Sequence, residues 1–270
     1  MKLSDVINDQ WLAPEEMREG YAAAKPFPHI VMENFIKPDL LDTVVEEFPD
    51  LRAVKEGVIR FENQREIKLA GRGMGILSPA AVSLTTYLNS DLFLQYLNQL
   101  TGIEETLISD PYLEGGGYHE IKRSGLLKVH ADFNRHPKLE LDRRLNLLIY
   151  LNKDWDEAWG GQLQLFDNDL GDPVVSVYPK FNTAVIFSTT SFTYHGHPDP
   201  LMCPEDRSRR SLAYYYFSTG RPQSEVSGEK HSTLFRARSG ENLDNGFDLK
   251  GTLKEFVPPI LLKTVKRVLR

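Results

Sequence analysis

Residues 143–167 read RRLNLLIYLNKDWDEAWGGQLQLFD. The run 144–151, RLNLLIYL, has the composition of a strand. The run 161–166, GQLQLF, alternates apolar and polar residues, the mark of a strand with one buried face. A polar stretch carrying Trp155 and Trp159 turns the chain between them. Two later runs have the same strand composition: TAVIF at 183–187 and SLAYYYF at 211–217. Short strands at this spacing, separated by turn residues, predict a sandwich or barrel rather than alternating βα units.

Working outward, the change of character falls at the EGGG of residues 114–117. Before it, helical periodicity dominates. Residues 39–48, DLLDTVVEEF, place Leu40, Leu41, Val44, Val45 and Phe48 on one stripe. Ser78-Pro79 has the residues of a helix cap and first turn. A third helix is expected from about Ser90 to Leu100, stopped at Thr101-Gly102. We expect one domain over 1–270, with a mostly helical support region at 1–113 and a β core at 114–219. Residues 220–270 read as a polar tail loop followed by a basic amphipathic helix. In PPILLKTVKRVLR, Lys263, Lys266, Arg267 and Arg270 share one face; Leu261, Val265, Val268 and Leu269 share another. Packing of its apolar side on the core is weighed there against peripheral membrane contact. Gly71 to Gly75, GRGMG, lacks the flanking strand of a nucleotide loop.

The chain has 270 residues, 32 Lys and Arg against 38 Asp and Glu, and a net charge of −6. That balance is the wrong sign for a general nucleic-acid binder. Cys203 is the single cysteine, which excludes an intrachain disulfide and a multi-cysteine metal site. There is no apolar run long enough to span a membrane and no signal-peptide pattern, so a cytoplasmic protein is expected.

Three places carry chemistry. His130-Ala131-Asp132 follows a strand-like run, so His130 and Asp132 point to one side. Imidazole beside carboxylate makes two corners of a metal site, although the tripeptide alone is common. His195 stands past the TAVIF strand, at the end of SFTYH, and could close a two-histidine, one-carboxylate triad of the kind that holds non-haem Fe(II). His197 is the alternative, two residues nearer Arg209. Arg209 and Ser211 share a face at the start of SLAYYYF. An arginine entering an apolar strand is unfavourable unless an anion meets it, and a guanidinium fork with a hydroxyl can grip a carboxylate. Asn146, Leu148 and Tyr150 share the face expected to line the barrel.

With these residues in order, the chain resembles the Fe(II)/2-oxoglutarate-dependent oxygenases of the prolyl 4-hydroxylase type over roughly 115–219. His130-Ala131-Asp132 is similar to their HxD, residues 143–167 to their strand, tryptophan turn and GG-led strand, His195 to their distal histidine, and Arg209-Arg210-Ser211 to their R-x-S. The resemblance implies a mainly β fold with flanking α: a double-stranded β-helix (jelly roll) buttressed by the N-terminal helices. It implies Fe(II) on His130, Asp132 and His195, with O2 and 2-oxoglutarate as co-substrates and ascorbate as a candidate reductant. Arg209, Tyr150 and Ser211 would hold the far carboxylate. The implied reaction is hydroxylation of an unactivated C–H bond of a small molecule or peptidyl residue, releasing succinate and CO2. A carboxylate at Asp132, where related halogenases carry a small residue, argues against halogenation. Asn146, His197, His231, Arg236 and Arg238 are the candidate substrate contacts, the last three from KHSTLFRAR in the tail. Two other classes stay open: a non-catalytic jelly-roll binding module, and a Zn or Mn cupin-type hydrolase or isomerase.

Overall fold

Alternation within the apolar runs builds two antiparallel sheets with a cavity between them. The computed structural model describes residues 2–226, 230–238 and 241. Its helices are α1 (Pro14–Ala23), α2 (Pro38–Glu46), α3 (Pro79–Leu88) and α4 (Asp91–Thr101). Its strands are β1 (His29–Met32), β2 (Val58–Glu62), β3 (Ile67–Gly71), β4 (Ile108–Ser109), β5 (Gly117–Ile121), β6 (Leu127–Ala131) and β7 (Asp142–Tyr150). They continue with β8 (Leu163–Phe166), β9 (Val175–Val177), β10 (Ala184–Ser188), β11 (Tyr194–His197), β12 (Arg209–Ser218) and β13 (Leu234–Phe235). The larger sheet runs β1-β10-β7-β12-β5-β3-β2, with β4 also on β12; the smaller runs β13-β6-β11-β8-β9. This is the jelly roll expected from the sequence.

The apolar run of β7 is buried on both faces for distinct reasons. Leu145, Leu147 and Ile149 join Leu212, Tyr214 and Tyr216 of β12 in a core shared with Leu84, Leu88, Phe93, Leu97 and Leu100 of α3 and α4. Asn146 and Leu148 face the cavity, and Tyr150 packs with Leu163 and Leu165 of the opposite sheet. Burying a leucine side chain fully is worth roughly 1.5–3 kcal/mol, so this helix-backed layer is what makes β7 and β12 a rigid floor for the cavity.

The expected helix boundaries hold closely. The Ser78 hydroxyl accepts a hydrogen bond from the Ala81 amide and Pro79 occupies the first helical position of α3. α4 ends at Gly102, whose φ of 70° is left-handed. Two differences stand out. The N-terminal region also contributes strands β1, β2 and β3 to the larger sheet, because its short β-branched runs pair with strands already present. Likewise the tail is not all loop: Leu234 and Phe235 pair with Ala131 and His130, adding β13 beside the HxD strand. The expected C-terminal basic helix lies outside the described residues. Among the described residues, no helix is long and apolar enough to cross a membrane.

Candidate active site

His130 and His195 are cross-strand partners, directly opposite in the β6–β11 ladder. Their rings lie 4.5 Å apart, centroid to centroid. Asp132, one residue past β6, completes a cluster with them in which one donor atom from each lies within 4.8 Å of the others. Gly196 permits this, because a Cβ there would sit 2.8 Å from the Leu127 carbonyl oxygen.

Backbone carbonyls set the two imidazoles. His130 Nδ1 donates to the Lys128 carbonyl at 2.8 Å, and His195 Nδ1 donates to the Thr193 carbonyl at 3.2 Å. A carbonyl only accepts, so in each neutral ring the proton sits on Nδ1 and the Nε2 lone pair is free. Both Nε2 atoms turn to Asp132, at 3.6 Å from Oδ1 for His130 and 3.4 Å from Oδ2 for His195. Two imidazole lone pairs and a carboxylate on one side fit a divalent metal with open positions. Burial, partly offset by Asp132, pushes the His195 imidazole down to about 4, which keeps it in the unprotonated form a metal needs.

Asp132 is held from behind. Its Oδ2 accepts from the Asn146 amide at 2.8 Å and from Arg143 Nη2 at 3.1 Å. Arg143 also donates twice to Asn146 Oδ1. Its guanidinium is sandwiched between Phe133 and Tyr215, at 4.3 and 3.5 Å from the ring centroids. Burial alone would raise the Asp132 carboxyl; Arg143, then the two histidines, outweighs it and holds the group well below the usual carboxylate range.

The triad opens on a cavity of about 260 Å³ that Arg209, Ser211 and His197 also line. Arg209 is 5 % exposed. Its Nε donates to the Gly161 carbonyl at 2.8 Å and its Nη2 to the Tyr150 hydroxyl at 3.1 Å. Gly161 has a φ of 77°, and a Cβ there would strike Leu201 at 2.5 Å and crowd the Arg209 stem at 3.2 Å. Among the described residues no carboxylate pairs with Arg209. A desolvated guanidinium without an anion is costly, so the chemistry of this end of the cavity calls for a carboxylate ligand. The lining therefore has the chemistry for both groups: donor atoms for a metal at the triad, and a buried cation at Arg209 for a carboxylate in the same cavity.

The remaining candidates divide. Asn146 lines the cavity with its amide engaged by Asp132 and Arg143. His197 lines the cavity but stands outside the donor cluster. His231, Arg236 and Arg238 do not line it. The His231 ring bonds Ser191 and the Ser232 carbonyl, the Arg236 amide donates to Val129 in the sheet, and Arg238 pairs with Asp199. Sequence reasoning missed Arg143, and also Phe61, Glu66, Lys68 and His119, which form the cavity's other wall. Burial, aided by Lys68, pushes the His119 imidazole down to about 3.

Residues 116–217 match the model of the 2OG-Fe(II) oxygenase superfamily. The mouse prolyl 3-hydroxylase OGFOD1 is 26% identical over 198 residues, which is 71% of this chain; the chain spans about 33% of that relative's length. A Pseudomonas putida prolyl-4-hydroxylase superposes with a TM-score of 0.55 at 17% identity, over 77% of this chain and 100% of the other. A Trichoplax adhaerens prolyl hydroxylase, solved with a hypoxia inducible factor peptide, gives 0.53 at 17% identity over 76% and 89% of the two chains. Those two likenesses are of fold. The family match spans β5 to β12, and the triad and Arg209 lie inside it.

Proposed function

We propose that the chain is an Fe(II)- and 2-oxoglutarate-dependent dioxygenase that hydroxylates an unactivated C–H bond. The observation that carries this is one cavity lined by both the His130, Asp132, His195 donor cluster and a buried Arg209 that no carboxylate meets among the described residues. The binding-module reading gives the converged triad no task, and the cupin hydrolase reading gives Arg209 none. In net terms, R–H, 2-oxoglutarate and O2 give R–OH, succinate and CO2, one oxygen atom entering each organic product. Bound Fe(II) supplies the one-electron and O2 chemistry.

The chain's own residues do the rest. His130, Asp132 and His195 hold the metal, and Arg143 with Asn146 fixes the carboxylate. Arg209 pairs with the far carboxylate of 2-oxoglutarate, with Tyr150 and Ser211 beside it. Phe133, Tyr215, Lys68 and Phe61 line the same cavity and would meet the substrate. The names of the mouse and Trichoplax relatives make peptidyl proline the first substrate class to examine, ahead of free small molecules. The test is succinate formation from 2-oxoglutarate with Fe(II), first uncoupled and then with prolyl peptides and metabolite pools. Product that is independent of Fe(II), or no turnover of 2-oxoglutarate at all, would refute the reading.

A further inference from the structure

His197 is 3 % exposed, and among the described residues neither of its ring nitrogens has a hydrogen-bond partner. The buried histidines beside it are satisfied: His130 and His195 each bond a backbone carbonyl. An unpaired imidazole is expensive in an apolar place, at a free-energy penalty that proteins seldom carry without a use. His197, though, is not in an apolar place. It lies two residues beyond His195 on β11, so both rings point into the cavity that Arg209 and Ser211 line. Gly196 between them lets β11 press against β6 and keeps the two rings on one wall.

The geometry points to His197 as a further co-substrate-binding residue, donating its ring N–H to the same carboxylate that Arg209 pairs with. This rests on the reading that the cavity takes 2-oxoglutarate. A carboxylate has about four acceptor sites, more than one guanidinium fork fills. Arg209 already gives Nε to Gly161 and Nη2 to Tyr150, so part of its fork is committed to the protein. A neighbouring imidazole donor fills what is left. An imidazole carries at least one N–H in any state near neutrality, so the contact needs no change of charge.

The experiment is equilibrium binding to the Fe(II)-loaded protein without oxygen, comparing wild type, His197→Leu, His197→Asn and Arg209→Ala. The ligands are 2-oxoglutarate and 2-oxopentanoate, which has the same carbon chain and lacks the far carboxylate; its binding is read by competition where it is weak. His197→Leu should weaken 2-oxoglutarate about 10- to 100-fold, the size of one hydrogen bond to a charged group. It should leave 2-oxopentanoate and Fe(II) binding unchanged, and His197→Asn, which keeps a donor, should recover part of the loss. The urea midpoint of the metal-free protein should not fall in His197→Leu, because no hydrogen bond among the described residues is removed and leucine fills the same buried place. Equal binding of 2-oxoglutarate by wild type and His197→Leu would overturn the inference and leave the underlying reading intact. So would an equal loss for both ligands, or loss of Fe(II). A wild type that does not bind 2-oxoglutarate, or an Arg209→Ala protein that binds it normally, would overturn the reading and the inference together.

Discussion

Arg143 and Asp132 form a buried ion pair on the cavity wall, Nη2 to Oδ2 at 3.1 Å. The pair does two things at once. It takes up one carboxylate oxygen together with Asn146, which leaves Oδ1 as the less engaged oxygen for a metal. It also keeps the carboxyl ionised against the penalty of burial. Groups that orient a metal ligand typically cost 10- to 100-fold in metal affinity when removed. Arg143→Met should therefore weaken Fe(II) binding by about that factor, and more at pH 6 than at pH 8, since protons then compete for Asp132. Arg143→Lys should recover only part, because the planar stacking between Phe133 and Tyr215 is lost with the fork. Metal titrations at the two pH values decide it; equal affinity in all three proteins would show that Asp132 needs no such support.

The donor cluster makes a contrast between two neighbouring histidines. Asp132→Ala, His130→Ala and His195→Ala should each abolish stoichiometric Fe(II) binding while the fold persists. His197→Ala should retain the metal. Metal content by elemental analysis after anaerobic reconstitution, alongside circular dichroism, is the check. Metal lost from His197→Ala and kept by His195→Ala would move the ligand to the other residue.

What the chain made legible was the alternation, and what it hid was every break in alternation. His130, Asp132, His195, Arg209, Ser211 and Tyr150 could all be placed by the pleat, since residues two apart share a face. Arg143 could not. By parity it belongs with Leu145 and Leu147 on the helix-packed side. In the structure Tyr216 opposes Leu145 while Phe217 opposes Arg143, so Arg144 is an extra residue, a bulge that returns Arg143 to the cavity. Its signal was available in principle: a charged residue entering a strand otherwise fully buried, the argument that singled out Arg209. The β2–β3 hairpin was hidden for another reason. Its turn, Asn63 to Glu66, lacks the Asn-Gly or Asp-Gly pattern that announces a tight hairpin, and its two strands are only five residues each. Lys68, Glu66 and Phe61 therefore came to the cavity unannounced.

Acid should destabilise the metal-free protein, and the sign follows from the histidines. Burial pushes His195 down to about 4 and His119 to about 3 in the folded chain, against an ordinary value of 6.5. Between pH 6.5 and 4 the unfolded chain then binds more protons than the folded one, so stability is full above that window and falls as pH drops through it. Asp132, held well below its ordinary 3.8, adds a loss of the same sign at still lower pH. Urea midpoints at pH 7.5, 6, 5 and 4.5 should decline steadily, and His195→Gln should decline less. A midpoint that stays level to pH 4.5 would contradict the burial argument.

Arg209 gives the sharpest separation of co-substrate from metal. Its partners are a backbone carbonyl and the Tyr150 hydroxyl, so its charge is unmatched among the described residues. Arg210, on the opposite face of β12, pairs with Glu120, and Arg207 bonds the carbonyls of Lys153 and Asp154 in the loop. Removing one partner of a desolvated charge pair typically costs ~2–5 kcal/mol. At ~1.4 kcal/mol per tenfold change, the low end is already about 30-fold. Arg209→Ala should raise the 2-oxoglutarate requirement by at least ~30-fold and leave Fe(II) binding nearly intact. Arg207→Ala and Arg210→Ala should change it little, for neither side chain lines the cavity. Tyr150→Phe should fall between, at the value of one hydrogen bond to a charged group, ~1.5–3 kcal/mol at most. The measurement is Fe(II)-dependent succinate formation across 2-oxoglutarate concentrations, with metal titration of each variant beside it. An Arg209→Ala protein with an unchanged 2-oxoglutarate dependence would mean that the far carboxylate binds elsewhere. The cavity's buried cation would then need another anion, with the substrate itself as the remaining source.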